Sequence, residues 1–342
     1  WAHVMLAVNT THGTDTNRLK IYWNGVLQTL DNTNQSGQGN TYPDENADTA
    51  INASEYVTWI GASNSYGSFA GYMADTYFIN NQQLTPASFG ETGDFGEFKP
   101  IEYTGTYDAY SSYLDYADSG NLGDDESGNG ADWGEAGIVA TDQMLDTPTN
   151  NFATFNRLRG LGPTMFEGNL LTETSTNTVT RSVDTNFEPQ SGAWYVEVLI
   201  KVDGANSGQN ATHVGVANDT FVTGNEFKGH SNGVSYCMDG QKGLDNSVSD
   251  YGATYASGDV IGIAYDTDND NITFYKNNAA QPQLTTGFDI SNGRVVVATN
   301  SSTATGQRYG VNFGQDSSFA GEKTAGGNSD ANGVGDFLYA VP

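Results

Sequence analysis

Residues 258–278 read G-D-V-I-G-I-A-Y-D-T-D-N-D-N-I-T-F-Y-K-N-N, and no other stretch restricts the fold of this chain as tightly. Two apolar runs of period two, Val260–Tyr265 and Ile272–Tyr275, flank a block of Asp and Asn. Period-two alternation places apolar side chains on one face of a strand. Asx residues tolerate the left-handed backbone of a tight turn, so the pattern predicts a β-hairpin. A second hairpin signal lies near the start, where Asn24-Gly25 follows Arg18-Leu19-Lys20-Ile21-Tyr22-Trp23. Asn-Gly is the preferred dipeptide of a type I′ turn, because both central positions take positive φ. Leu19, Ile21 and Trp23 then share one face, with Lys20 and Tyr22 on the other.

The rest of the chain agrees with strands. It has 342 residues, enough for about two domains, and 37% of them are hydrophobic, enough to fill cores. Forty-two glycines, many Asn, Ser and Thr, and no sustained i, i+3, i+4 pattern favour strands and turns, with only short helical turns. The predicted class is all-β.

Charge narrows the partners. With 41 acidic residues against 13 basic, the formal charge is −28. A nucleic-acid surface needs clustered Lys and Arg to displace phosphate counterions, so nucleic acid is excluded. Membrane surfaces are anionic too, and no apolar run reaches the roughly 18–20 residues a spanning helix needs, so membrane insertion is not expected. Neutral or cationic partners remain. The acidity also keeps a Gly/Asn-rich chain soluble.

The hairpin at 258–278 resembles the signature hairpin of SPRY-domain β-sandwiches. Three further elements match in order: Ser191-Gly192-Ala193-Trp194-Tyr195-Val196-Glu197-Val198, His213-Val214-Gly215-Val216-Ala217, and Tyr309-Gly310-Val311-Asn312-Phe313-Gly314-Gln315. The resemblance spans about residues 163–342 and implies a binding superfold without naming a ligand. Trp1-Ala2-His3-Val4, with the Asn24-Gly25 hairpin and Phe69-Ala70-Gly71-Tyr72-Met73-Ala74-Asp75-Thr76-Tyr77-Phe78-Ile79-Asn80, resembles the later part of a laminin-G-like (concanavalin-like) sandwich. That resemblance implies a first module, 1–98, incomplete at its N-terminus. The expected organisation is two β-sandwich (concanavalin-like/jelly-roll) modules joined by a connector, 99–162, with one or two strands. A half sandwich would expose its apolar inner face and a strand edge. The chain thus reads as a fragment of a longer polypeptide, its last residues, Gly333–Pro342, stopping in an ongoing segment.

The connector, with Phe95-Gly96-Glu97-Phe98-Lys99-Pro100, Ser127-Gly128-Asn129-Gly130-Ala131-Asp132-Trp133 and Asp146-Thr147-Pro148-Thr149-Asn150-Asn151-Phe152, resembles that of large marine bacteriophage virion proteins. This implies an adhesive or structural module of a tail or head fibre at the virion surface or otherwise extracellular. Its partners would be host-surface glycan or neighbouring virion proteins, and it would be a homo-oligomer, a trimer in the first instance. The alternative is the carbohydrate-binding region of a secreted bacterial polysaccharide-degrading enzyme. A peptide-binding cytoplasmic SPRY adaptor fits the laminin-G-like half poorly.

No catalytic motif is evident: there is no G-x-S-x-G, P-loop or H-E-x-x-H. The chain is read as a non-enzyme with no cofactor. His3 reads as a packed core residue, and no Cys or carboxylate stands at metal-ligand spacing from His12, His213 or His230. Two acidic runs raise calcium. Asp266-x-Asp268-x-Asp270 starts like an EF-hand loop, but Asn271 and Asn277 stand where Gly and Glu are needed, and a hairpin turn is the better reading. Asp124-Asp125-Glu126 could offer oxygens to a hard cation, although a solvated loop explains it as well. Cys237, the sole cysteine, rules out an intramolecular disulfide and reads as a buried small hydrophobe. Seven Asn-x-Ser/Thr sequons (Asn9, Asn34, Asn52, Asn210, Asn218, Asn271, Asn300) are expected by chance in such a composition. SPRY-like domains resemble one another in binding through loops at one end. The resemblance places these at Asp203–Asn210, Gly224–Gly233 and Gly240–Tyr251, with Phe227, His230 and Tyr251 as the ligand-binding candidates able to stack on a sugar or peptide.

Overall fold

The computed structural model describes residues 1–30, 42–49, 51, 57–63, 67–69, 71–159, 164–173, 181–202, 212–221, 227–299 and 306–342. It is built of strands, with four short 3-10 turns and no α-helix among these residues. Two compact units divide it. The first holds Trp1–Phe69, Met73–Ala140 and Thr147–Asn151; the second holds Ala70–Tyr72, Thr141–Asp146 and Phe152–Pro342.

In the first unit, β1 (Val4–Val8), β2 (Leu19–Trp23) and β3 (Val26–Leu27) form an antiparallel sheet. Asn24 and Gly25 have φ of 47° and 77°, as the type I′ turn requires. The register pairs Val4 with Trp23, Leu6 with Ile21 and Val8 with Leu19, so these residues share a face. Aromatic packing accompanies the sheet: the His3 ring stacks on Phe98 at 4.3 Å, and Phe89 stacks on Tyr103 at 5.2 Å. The remaining strands are short and pair two by two: β4 (Ala62–Ser63) with β5 (Gly67–Ser68), β7 (Gly90–Thr92) with β8 (Phe98–Pro100), and β6 (Thr76–Phe78) with β9 (Ser112–Leu114). Residues 99–140 fall within the first unit.

The second unit is a sandwich. One sheet runs in the order β10 (Thr164–Phe166), β11 (Leu171–Glu173), β23 (Arg308–Asn312), β13 (Ala193–Val202), β18 (Val260–Asp266), β19 (Asn271–Lys276), β20 (Ala279–Ala280), with β21 (Leu284–Thr285) also on β19. The other runs β12 (Arg181–Asp184), β22 (Arg294–Thr299), β14 (Thr212–Ala217), β15 (Gly233–Cys237), β16 (Gln241–Leu244), β17 (Ser247–Asp250). Val196, Val198 and Ile200 from one sheet meet Val214, Val216, Val295 and Val297 from the other in a single buried core. All four SPRY-like motifs fall on strands, and Thr267–Asp270 form the turn between β18 and β19.

Each sheet is also covered over part of its outer face. Phe221 and Phe227 cap Ala217, Val296 and Ala298 on one sheet, while Phe319, Leu338 and Tyr339 pack on Leu199 and Val260 of the other. Strands buried on both faces lose the clean apolar/polar alternation, which is why uninterrupted apolar runs such as Val295-Val296-Val297 appear.

Candidate functional site

The rim of the second unit is built from the segment that leads into β15 and from the hairpin β16–β17. Residues Phe227–Gly233 cross the hairpin where it carries Gly243, whose added Cβ would lie 2.1 Å from the Gly229 nitrogen. Only glycine permits that approach. The crossing is fixed by Lys228, whose Nζ donates to Asp239 Oδ2 at 3.1 Å and Gln241 Oε1 at 2.8 Å. The His230 amide donates to the Phe227 carbonyl, and His230 Nδ1 accepts from the Asn232 amide at 3.2 Å.

The three residues singled out from the sequence do not form one cluster. Phe227 is fully buried, edge-on to Phe221 at 5.3 Å, so it has no free face on which a ligand could stack. It supports the segment from beneath. His230 is half-buried and stands edge-on to Phe221 at 5.0 Å. Tyr251 packs against the core, edge-on to Tyr236 at 5.4 Å, and its hydroxyl donates to the Pro282 carbonyl at 2.6 Å. The Lys242 ammonium lies 5.6 Å from its ring centroid. Burial, ahead of any neighbour, pushes the Tyr251 phenol up. Gly240–Tyr251, expected as a loop, is mostly the β16–β17 hairpin, because Gln241–Leu244 pairs with Ser247–Asp250. Asp203–Asn210 and residues 224–226 lie outside the described residues.

The acidic runs are occupied by the backbone. Asp266 accepts from the Asp268 and Asn269 amides and from Asn269 Nδ2, with that side-chain bond leading the causes that hold its pKa low. Asp270 accepts the Ile290 amide at 3.0 Å. This is a capped hairpin turn. Burial pushes the Asp125 carboxyl up, but donors from Ala131, Tyr113 and Ser127 outweigh it and hold the pKa below its ordinary value. Among the described residues, no group of three His, Cys, Asp or Glu is placed to hold a metal. Cys237 is buried, and burial pushes its thiol up to about 12.

Two buried charged centres escaped the sequence reading. Glu197 on β13 accepts the Leu338 and Tyr339 amides, both at 2.9 Å, together with Asn312 Nδ2 and the Tyr195 hydroxyl. It ties the C-terminal segment to the sheet. Arg294 on β22 bonds Asp184 Oδ2 at 2.8 Å and Glu188 Oε1 at 2.6 Å, with Arg159 closing on the same carboxylates. Burial pushes the Asp184 carboxyl up against the pull of Arg294 and Arg159. The available signal was a lone charge inside or beside an apolar strand, Glu197 within Val196–Val198 and Arg294 before Val295.

Among solved structures, the chain is similar to the SPRY domain of human HERC1, at 18% identity and a TM-score of 0.40, covering 46% of this chain and 96% of that one. It is also similar to a human SPRY domain, at 18% identity, 46% and 95% coverage and a TM-score of 0.37. The PSpry domain of TRIM65 is a third, at 12% identity, 46% and 90% coverage and 0.36. No curated protein matches. No helix among the described residues is long and apolar enough to cross a membrane. The family model described as "SPRY domain" matches residues 193–316, which run from the first residue of β13 to just beyond β23. Residues 193–316 are thus the part of the chain that is similar to a SPRY domain.

Proposed function

We propose that the chain is a non-catalytic adhesive or structural module of a fibre or other virion surface protein, binding host-surface glycan or a neighbouring virion protein. The observation that carries the binding role is the SPRY match over residues 193–316, on a sandwich whose rim segment is locked across a hairpin. The bacteriophage setting rests on the resemblance of the connector at 99–162. His230, Lys242 and Tyr251 are half-buried near this rim. One shallow site of this kind returns little net free energy after side-chain ordering, roughly −4 to −6 kcal/mol, or millimolar to high-micromolar affinity. A repeated array in a homo-oligomer, a trimer in the first instance, would supply avidity.

The test is a glycan array together with a pull-down of virion proteins, using a multimerised full chain. His230→Ala and Tyr251→Ala should lower capture, whereas Phe227→Ala should lower stability first. Capture unchanged in both rim variants would discard the rim, and product release from any oligosaccharide would discard the non-enzyme reading.

A further inference from the structure

A cavity of about 180 Å³ lies on the outer face of the β11–β23–β13 sheet, entirely within the second unit and away from the rim. Its floor is apolar: Leu171 and Leu199 rise from the sheet, and Phe319 closes one side. Its mouth is acidic, with Glu167, Asp316 and Glu322. The one basic residue in the lining, Lys201, is held by Glu322 at 2.5 Å, so Glu167 and Asp316 have no cation within the lining. Asp316 is fixed in place, accepting from the Ser318 amide and hydroxyl and from the Ala320 amide. Hydrogen bonds of that kind orient a carboxylate without neutralising its charge.

Tyr72 forms the remaining wall. Its ring lies against Gly168, where a Cβ would come within 2.2 Å of Cε2, so the turn at 167–169 fits the ring only with glycine there. Burial opposes ionisation of the Tyr72 phenol, and the charges of Glu167, Asp316, Asp142 and Asp146 add to it. The phenol therefore sits in a negative field. Both acidic turns have left-handed backbone: Glu167, Gly168 and Asn169 on one side, Phe319, Ala320 and Gly321 on the other. Left-handed conformation at Glu, Phe and Ala is costly and persists only where surrounding structure imposes it.

The volume restricts the occupant. Pockets for drug-sized ligands run from roughly 300 to 1,000 Å³, so this cavity admits one side chain and not a sugar chain or cofactor. An apolar floor beneath a ring of carboxylates matches a side chain with a hydrocarbon stem and a cationic head. Arginine fits better than lysine, because a planar guanidinium can meet two carboxylates at once and lie on an aromatic face. We infer that this cavity is a docking pocket for an arginine side chain of a partner protein, anchored by Glu167 and Asp316 over Leu171, Leu199 and Tyr72. The net charge of −28 favours the approach of such a basic partner.

The probe is a blocked Gly-Arg-Gly peptide titrated into the full chain, with methyl NMR shifts at Leu171 and Leu199 reporting position and the citrulline peptide as its neutral counterpart. The arginine peptide should shift those methyls, and citrulline should bind at least about tenfold more weakly, as expected for loss of a charge-assisted hydrogen bond. Glu167→Gln should weaken the arginine peptide by a similar factor. Glu102→Gln, an exposed carboxylate of the first unit, should not change binding at the Leu171 and Leu199 methyls. Equal binding of arginine and citrulline, no methyl shift, or equal loss in both variants would overturn the inference, the last by showing attraction to the acidic surface at large.

Discussion

The two units use the same strand chemistry and end in opposite states. In the second, two sheets close over one core, so Val196, Ile200, Val214 and Phe274 are all fully buried. In the first, the β1–β2–β3 sheet keeps an open face. It leaves Val4 at 61%, Leu6 at 54%, Trp23 at 52% and Val26 at 64% of full exposure. A strand's apolar face is buried only if a second layer meets it, and these four side chains stay more than half exposed. A contiguous apolar face of this kind marks a surface that binds or aggregates.

The sharpest way to break that comparison is to truncate the same kind of side chain in each unit. Phe274→Ala removes a fully buried ring from the closed core and should cost about 3–5 kcal/mol by chemical denaturation of the full chain. A cost below about 1 kcal/mol would mean that the core of the second unit is not close-packed.

Next in size is Glu197. Removing the carboxylate with Glu197→Ala strands the Leu338 and Tyr339 amides and should cost about 2–3 kcal/mol. Amide exchange at those two residues should rise more than in β13. Burial raises the Glu197 carboxyl above its ordinary value, against donors from Leu338, Tyr339, Asn312 and Tyr195. The folded state thus binds the proton more readily than the unfolded state. The stability this group contributes is fully present below its unfolded pKa and is lost as pH rises through the folded one. Comparing Glu197→Gln with the parent chain, that slope should disappear in the interval just above the ordinary glutamate range. A parent chain and variant with parallel pH profiles there would contradict the assignment.

The smallest effect belongs to the open face. Val4→Thr and Val26→Thr should each change stability by no more than about 0.5 kcal/mol, as for other exposed positions. Binding of a hydrophobic dye should nevertheless fall. A large loss of stability in either variant would show that the face is covered in solution, which would make the first unit resemble the second.

Much of this architecture was legible from local pattern. The Asn24-Gly25 turn, the β18–β19 hairpin and the strands at Trp194–Val198, His213–Ala217 and Tyr309–Asn312 follow from alternation and turn chemistry, both properties of neighbouring residues. The candidate site was less legible. Phe227, His230 and Tyr251 are close in sequence to Asn/Gly-rich segments, yet the sheet separates Tyr251 from the other two and buries Phe227 beneath its own segment. Aromatic residues among turn-formers look alike whether they point out or tuck under, because the choice depends on what lies across the sheet.

The sequence by itself determined the all-β class, the hairpins, the absence of an intramolecular disulfide and the net acidity. Each of these depends only on residue type or on spacing within a few residues. Tertiary structure decided the pairing of β6 with β9, the ion pair of Arg294 with Asp184, the anchoring of Leu338 and Tyr339 by Glu197, and the cavity beside Tyr72. Glu197 lies 141 positions from Leu338, and only the packing of sheets brings the buried carboxylate to the amides that satisfy it.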